Sequence, residues 1–208
     1  MFDVQSVKVS IPLRKKFVVS KGETKIKTNL LTILNNRYHG EASGSIHAGP
    51  SVRDIEAGLR KGMAFLRKCR KIDVGTLETI SRMRIPAPAR SALMAMVVNY
   101  LSGESRRYPW EILDLGTPVG IRSSFTIGID EPAEMIRAIQ DCDYPIIKIK
   151  MGRQADVALL EVLDQIGDKV VRVDVNGAWS CEQAEEMIFH LARKGVTVIE
   201  QPTDAAHV

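Results

Sequence analysis

The sequence predicts an α/β fold in which an α+β segment is followed by the first four strands of a TIM-type β/α barrel. Up to about residue 115, β-rich stretches precede long helical patterns, whereas from about residue 120 short β-rich stretches alternate with amphipathic helical ones. Such alternation is typical of parallel β/α units. We therefore predict an α+β domain over residues 1–115 and a partial, truncated barrel over residues 120–208.

The first segment shows the pattern of a strand meander followed by helices. Strands are predicted from alternation and β-rich composition, and helices from apolar residues at helical spacing. Asn35 and Asn36 predict a turn before a third strand, and the polar residues 20–23 and 40–51 predict loops. The predicted strands are 4–11 and 28–34, and the predicted helices include 55–66 and the apolar stretch 91–101.

The second segment repeats one strand and one helix at a nearly constant interval. The predicted strands are 124–129, 146–151, 170–175 and 196–200, and the helices between them are 131–140, 155–166 and 181–193. Four polar residues, Thr126, Lys150, Asp174 and Glu200, lie near the strand ends and are 24, 24 and 26 residues apart. In a barrel, the carboxyl ends of the strands form the catalytic face. A doubly wound sheet is the alternative, but the chain has neither a GxGxxG turn nor a P-loop.

Composition argues against several classes of function. The chain has 208 residues and a formal charge of +4, and its densest basic run, residues 60–71, has the apolar spacing of a solvated helix rather than of a nucleic-acid site. Three scattered cysteines, Cys69, Cys142 and Cys181, suit a reducing compartment. Because the sequence lacks both a leader-like start and an apolar membrane segment, we expect a cytoplasmic protein without membrane or nucleic-acid partners.

Two lysines and two acids are the candidates for chemistry. Lys148 and Lys150 are two residues apart on one predicted strand, so their side chains should share a face. Neighbouring ammonium groups would lower the pKa of one lysine and prepare it to act as a base. Asp174 and Glu200, on the next strands, could share a hard cation such as Mg²⁺. The alternatives without a catalytic role are that both lysines are solvated on an edge strand and that Asp174 forms a structural ion pair with a lysine.

Three segments resemble the muconate-lactonizing branch of the enolase superfamily. Residues 144–152, Tyr-Pro-Ile-Ile-Lys-Ile-Lys-Met-Gly, resemble its K-x-K strand, and residues 172–179 and 198–202 resemble its two metal-ligand strands. The resemblance implies Lys150 as an acid/base, Lys148 as its catalytic neighbour, and Asp174 and Glu200 as Mg²⁺ ligands. It also implies abstraction of an α-proton beside a carboxylate, through an enediolate.

Residues 123–130, Ser-Ser-Phe-Thr-Ile-Gly-Ile-Asp, are most similar to the dipeptide-epimerase group, which includes L-Ala-D/L-Glu epimerases. That likeness implies an isomerase acting on a dipeptide or N-acyl amino acid, with Thr126 lining the substrate pocket. The α+β segment resembles the capping domain of that family, whose loops, here around Lys21 and His47, close over the substrate.

The resemblance also implies parts that these 208 residues do not include. A third metal carboxylate and a second base would come from later strands, so we expect this chain alone to be inactive and its open strand edges to drive self-association into a homo-oligomer. Muconate cycloisomerase and o-succinylbenzoate synthase chemistry remain alternatives on the same scaffold. A non-catalytic half-barrel is the alternative from a different class.

Overall fold

The computed structural model of the chain describes residues 1–44, 49–152, 156–204 and 206. Residues Met1–Pro12 and Ile26–Val119 form one compact unit, and Leu13–Lys25 and Gly120–Val208 form a second. Each unit has its own cluster of buried apolar side chains. The domain division at residues 115–120, with a capping role for the first part, stays a prediction.

The chain begins with a three-stranded sheet, which confirms the predicted strand meander. Its strands, in the order β1-β2-β3, are β1 (Val4–Val19), β2 (Gly22–Leu34) and β3 (Tyr38–Ser43). Asn35 and Asn36 both adopt a left-handed backbone (φ 52° and 54°), which is the conformation that a tight hairpin turn requires. The predicted loop at residues 20–23 is shorter than expected, because only Ser20 and Lys21 separate β1 from β2.

The described residues of the first part of the chain also form the helices α1 (Val52–Lys68), α2 (Val74–Ser81), α3 (Ala87–Ser105) and α4 (Pro109–Ile112). Ser51 and Asp54 form a reciprocal capping box at the start of α1. The predicted helices at 55–66 and 91–101 are confirmed within α1 and α3. A glycine at position 40 allows β3 to approach α3, since a Cβ there would lie 1.9 Å from the Ala92 carbonyl oxygen.

The second part of the chain alternates strands and helices in the predicted order. Its elements are β4 (Ser124–Ile127), α5 (Pro132–Gln140), β5 (Ile146–Lys150), α6 (Asp156–Leu163), β6 (Val170–Asp174), α7 (Cys181–Arg193) and β7 (Val198–Glu200). All strand pairs are parallel, and the strands are adjacent in sequence order. A doubly wound sheet would reverse its strand order at a switch point. The consecutive order therefore confirms the α/β class with four strands of a barrel.

The two faces of this parallel sheet differ in polarity. Ile147, Ile149 and Val173 are fully buried in the apolar cluster formed with α5, α6 and α7. The residues alternating with them, Lys148 and Asp174 among them, point to the opposite face, as the period of a strand requires. Within the described part of the chain, no helix is long and apolar enough to cross a membrane.

Candidate active site

The strand register brings three of the predicted site residues into one row. Lys150 on β5 is paired with Asp174 on β6, and Asp174 is paired with Glu200 on β7. Thr126 on β4 is paired with Lys148 instead, so it lies two residues nearer the amino end of the sheet than that row. Thr126 is near the end of β4, as predicted, but it is not aligned with the other three residues across the sheet.

Both lysines bind the same carboxylate oxygen. The Lys150 ammonium lies 2.6 Å from Oδ2 of Asp174, and the Lys148 ammonium lies 2.7 Å from that same atom. Lys148 also donates to Oε2 of Glu200 at 2.7 Å, and Lys150 donates to Oδ1 of Asn176 at 2.9 Å. The shared oxygen shows that the two lysines project from one face of β5.

Burial decreases across this cluster from its centre outwards. The Asp174 side chain is 1% exposed and that of Lys150 is 10% exposed, whereas Lys148 and Glu200 are 21% and 52% exposed. A buried carboxylate must be paired or hydrogen-bonded to remain charged. Asp174 meets that need with two ammonium groups, and one face of the cluster, at Glu200, remains open to solvent.

The carboxylates determine the direction of the pKa shifts. Burial alone would raise the pKa of Asp174, but hydrogen bonds from Lys148 and Lys150 outweigh it and hold that pKa below its ordinary value. Burial alone would lower the pKa of Lys148, but Asp174 and Glu200 outweigh it and raise that pKa. The expectation that a neighbouring ammonium lowers a lysine pKa is therefore wrong for Lys148, because two carboxylates face it.

The backbone adopts a left-handed conformation shortly after β6 and again directly after β7. Asn176, two residues after Asp174, has φ 57°, and Gln201, directly after Glu200, has φ 46°. The Asn176 amide N–H donates to Oδ1 of Asp174 at 3.1 Å, and its side-chain amide donates to Oε1 of Gln201 at 3.4 Å. These contacts fix the second oxygen of Asp174 and join the loops that follow β6 and β7.

The donor set of this cluster fits a small hard cation. Asp174 and Glu200 already share one cation, the Lys148 ammonium, which shows that an oxygen from each carboxylate can converge on one point. Mg²⁺ is commonly held by one or two carboxylates together with water. Among the described residues, no group of three or more His, Cys, Asp or Glu side chains could hold a metal. These two carboxylates would therefore have to be supplemented by other oxygen ligands.

The hairpin tip between β1 and β2 lies along the carboxyl ends of these strands. The Val18 carbonyl accepts from the Ile129 amide N–H at 3.0 Å, just beyond β4. Ser20 Oγ donates to the Val175 carbonyl at 3.0 Å, just beyond β6. The Lys21 ammonium lies 3.8 Å from Oδ2 of Asp204, beyond β7. Lys21, the other predicted substrate-binding residue, is therefore at the same edge of the sheet as Lys150.

Thr126 is directly beside Lys148 on the neighbouring strand, at one side of the charged cluster. It lines a cavity of about 580 Å³ beside β4, together with Phe17, Phe125 and Tyr144. Lys150 and Asp174 are not among the residues that line this cavity. His47, expected on the second closing loop, lies outside the described residues.

Sequence reasoning missed Asp156 and Trp179. Asp156 is the first residue of α6 and is 6% exposed. Its Oδ2 accepts from the Trp179 indole N–H at 2.7 Å, and both of its carboxylate oxygens accept from the Gly152 amide N–H. An acid at the start of a helix is so common that the sequence offers no signal for this contact.

Comparison with known proteins places these motifs in a family. Residues 131–208 match the family described as "Enolase C-terminal domain-like". The L-Ala-D/L-Glu epimerase of Bacteroides thetaiotaomicron is 32% identical over 170 residues, which is 79% of this chain and 44% of that protein. The chain therefore spans less than half the length of this curated relative.

Solved structures with low sequence identity to this chain share its fold. The dipeptide epimerase from Enterococcus faecalis, complexed with Mg and the dipeptide L-Leu-L-Tyr, superposes with a TM-score of 0.85 at 19% identity, over 97% of this chain and 60% of that one. The muconate lactonizing enzyme from Pseudomonas fluorescens, complexed with muconolactone, gives a TM-score of 0.87 at 20% identity, over 97% and 60%. The recognition made from the three motifs is confirmed, and the chain is related to the dipeptide epimerases of the enolase superfamily.

Proposed function

We propose that this chain carries the first half of the active site of a dipeptide epimerase, an isomerase that removes and returns a proton on the carbon beside a substrate carboxylate. The observation that supports this most directly is the buried contact of 2.6 Å between the Lys150 ammonium and Asp174. A lysine held at the catalytic edge of a barrel, beside a second lysine and two carboxylates, has the groups that proton transfer needs.

Lys150 is the acid/base in this proposal. Its ammonium is held by Asp174 and Asn176, so the direction in which the side chain can deliver or accept a proton is fixed. Lys148, from the same strand, keeps a second positive charge beside the site. Both lysines come from one strand and can serve one side of a substrate carbon. Epimerisation needs another group on the opposite side, which we assign to barrel strands that the longer relatives contain.

Asp174 and Glu200 would hold Mg²⁺. A divalent cation bound there supplies positive charge that stabilises negative charge developing on a substrate carboxylate. The Lys148 ammonium now lies between the two carboxylates, so binding of a metal requires that ammonium to withdraw from at least one of them. Competition between Lys148 and the metal would make the metal affinity of this chain weak.

The remaining assignments concern substrate and setting. Lys21, at the hairpin tip, and Thr126, on β4, would contact a dipeptide or N-acyl amino acid. The same acid/base and metal could also serve a muconate cycloisomerase or an o-succinylbenzoate synthase, and only substrate tests separate these reactions. We place the protein in the cytoplasm, in keeping with its three unpaired thiols, and expect it to be a homo-oligomer.

Metal binding tests the first part of the proposal on the chain as it stands. Mn²⁺, which can replace Mg²⁺ at oxygen sites, is titrated and followed by electron paramagnetic resonance. We expect one weak site that is lost in Asp174→Asn. Asp164→Asn is the matched control, because this exposed carboxylate also pairs with a lysine, Lys194, but lies outside the row of site residues. Equal Mn²⁺ binding by the wild-type chain and Asp174→Asn would exclude the metal assignment.

Proton exchange tests the base in a form of the protein that carries a complete barrel. Dipeptides such as L-Ala-L-Glu are incubated in D₂O, and loss of the α-proton signal is followed by nuclear magnetic resonance. Lys150→Met should abolish exchange at one stereochemical face, whereas Lys194→Met, at the other end of the strands, should leave it intact. Exchange at the wild-type rate in Lys150→Met would refute the assignment of the base.

A further inference from the structure

The loops that follow β5 and β6 meet at one buried carboxylate, that of Asp156. The Gly152 amide N–H, two residues beyond Lys150, donates to both of its oxygens, at 3.0 and 2.8 Å. The Trp179 indole, five residues beyond Asp174, donates to Oδ2 at 2.7 Å. Two strand-end loops are thus joined by one side chain of α6.

Trp179 extends this connection to the third loop. Its backbone N–H donates to the Pro202 carbonyl at 3.2 Å, and it forms an isolated parallel bridge with Thr203. Pro202 comes two residues after Glu200. Asp156 and Trp179 therefore contact, directly or through one residue, the loops that follow the strands of Lys150, Asp174 and Glu200.

An acid in the first turn of a helix commonly accepts from a backbone N–H just before the helix, and the contact from Gly152, four residues earlier, is of that kind. The contact from the Trp179 indole is different, because it comes from a residue 23 positions later, beyond β6. Asp156 therefore joins its own helix start to a second strand-end loop. Both donor residues are tightly placed, since Trp179 is 6% exposed and a Cβ on Gly152 would lie 2.8 Å from the Val175 carbonyl oxygen.

We infer that Asp156 and Trp179 form a brace that positions Lys150 against Asp174 without touching the substrate or metal. Hydrogen bonds to charged acceptors are the stronger ones, and the low exposure of Asp156 protects them from competition by water. Supporting contacts outside a metal site typically alter affinity or activity by about 10- to 100-fold when removed. Because this brace acts through the backbone rather than on a ligand, we expect the lower end of that range. Its role in catalysis rests on the function proposed above.

Two variants remove the brace in different ways. Trp179→Phe deletes the indole N–H and keeps an aromatic ring in the buried site, and Asp156→Asn keeps the shape of the side chain but removes its charge. Glu161→Gln is the matched control, because Glu161 is an exposed acid on the same helix. The first readout needs neither metal nor substrate: amide hydrogen exchange at Gly152, and the ¹⁵Nζ resonance of Lys150 in the full 208-residue chain.

In both brace variants we expect exchange at Gly152 to accelerate by about tenfold relative to buried amides in β5, together with a shift of the Lys150 Nζ resonance. Glu161→Gln should change neither. If Gly152 exchange and the Lys150 resonance stay at wild-type values, or if all amides of the unit accelerate equally, Asp156 is a structural residue only and the inference is wrong.

The second readout is the Mn²⁺ titration, where both brace variants should weaken binding by about tenfold. Absence of binding in the wild-type chain would count against the proposed metal site alone, since the exchange and resonance measurements do not depend on it. Unweakened Mn²⁺ binding in variants whose Gly152 exchange has accelerated would show that the brace does not position the site.

Discussion

Replacing Asp174 by Asn should destabilise the second unit even in the absence of metal. The reason is that Asp174 is 1% exposed and is the shared partner of two ammonium groups. Asp174→Asn would leave a net positive charge in a largely buried site.

The magnitude follows from the partners that remain. Removing one member of a buried ion pair typically costs about 3–5 kcal/mol. Here Lys148 keeps Glu200 and Lys150 keeps Asn176, so we expect a loss of about 2–4 kcal/mol in the free energy of unfolding. Glu200→Gln removes a carboxylate that is 52% exposed, and its cost should be below about 1 kcal/mol.

Urea unfolding followed by tryptophan fluorescence measures this difference. Trp110 lies in the first unit and Trp179 in the second, so a Trp110→Phe background makes the signal report the second unit alone. The pKa of Asp174 is lowered in the folded chain, so its stabilising effect is present above its unfolded pKa. That effect is lost as the pH falls through the folded value. The gap between wild type and Asp174→Asn should therefore be full at pH 7 and shrink below about pH 4.

Two results would refute this reasoning. One is an Asp174→Asn variant whose free energy of unfolding at pH 7 lies within about 0.5 kcal/mol of the wild type, a difference typical of surface substitutions. The other is a Glu200→Gln variant that loses as much as Asp174→Asn. Either would mean that Lys148 and Lys150 do not depend on Asp174 to compensate their positive charges.

Three further predictions address other parts of the molecule. Gly152→Ala should lower the free energy of unfolding by more than about 2 kcal/mol, because residue 152 has φ 109° and an added Cβ would lie less than 3 Å from its neighbours. Gly167→Ala should lower it by only about 1 kcal/mol, because residue 167 has φ 66° but open space around it. Equal losses in urea or thermal unfolding would contradict the packing argument. The hydrogen bond to Glu104 raises the pKa of Tyr38, so absorbance titration should show one tyrosine with a raised pKa, and Glu104→Gln should bring that pKa back towards its ordinary value. Any stability that this contact adds is present below the pKa of Tyr38 in the unfolded chain. It is lost as the pH rises through the pKa of Tyr38 in the folded chain. The open edges of β4 and β7 should cause self-association in sedimentation experiments, and Phe125→Lys on β4 should weaken it; a compact monomer at all concentrations would exclude this.

The sequence predicted the charged row well because strand periodicity and parallel order are local properties. Lys148 and Lys150 had to share a face, and Asp174 and Glu200 had to follow on neighbouring strands once the β/α repeat was recognised. Thr126 is near the end of β4, as predicted, but its pairing with Lys148 rather than Lys150 could not be predicted, because composition does not locate strand ends to within two residues.

Electrostatic and supporting contacts were harder to predict. The sign of the Lys148 pKa shift depends on Asp174 and Glu200, which come close only when the sheet has formed. The predicted strand 4–11 is shorter than β1, which ends at Val19. Residues 10–17 show little alternation of apolar and polar side chains, so their sequence does not indicate that the strand continues. Asp156 gives no local signal for its bond to Trp179, 23 residues away.

The hairpin tip gives the second unit a particular order of assembly. Val18, Ser20 and Lys21 meet partners at residues 129, 175 and 204, so each contact joins the beginning of the chain to a later strand end. At the usual speed of translation, roughly 5–20 residues per second, Lys21 is added to the growing chain roughly 10–40 seconds before Asp204. The tip of β1 and β2 therefore has to wait for its partners, which are made one after another. A segment starting at residue 120 would lack this tip altogether, so the second unit cannot be excised as one continuous stretch of gene.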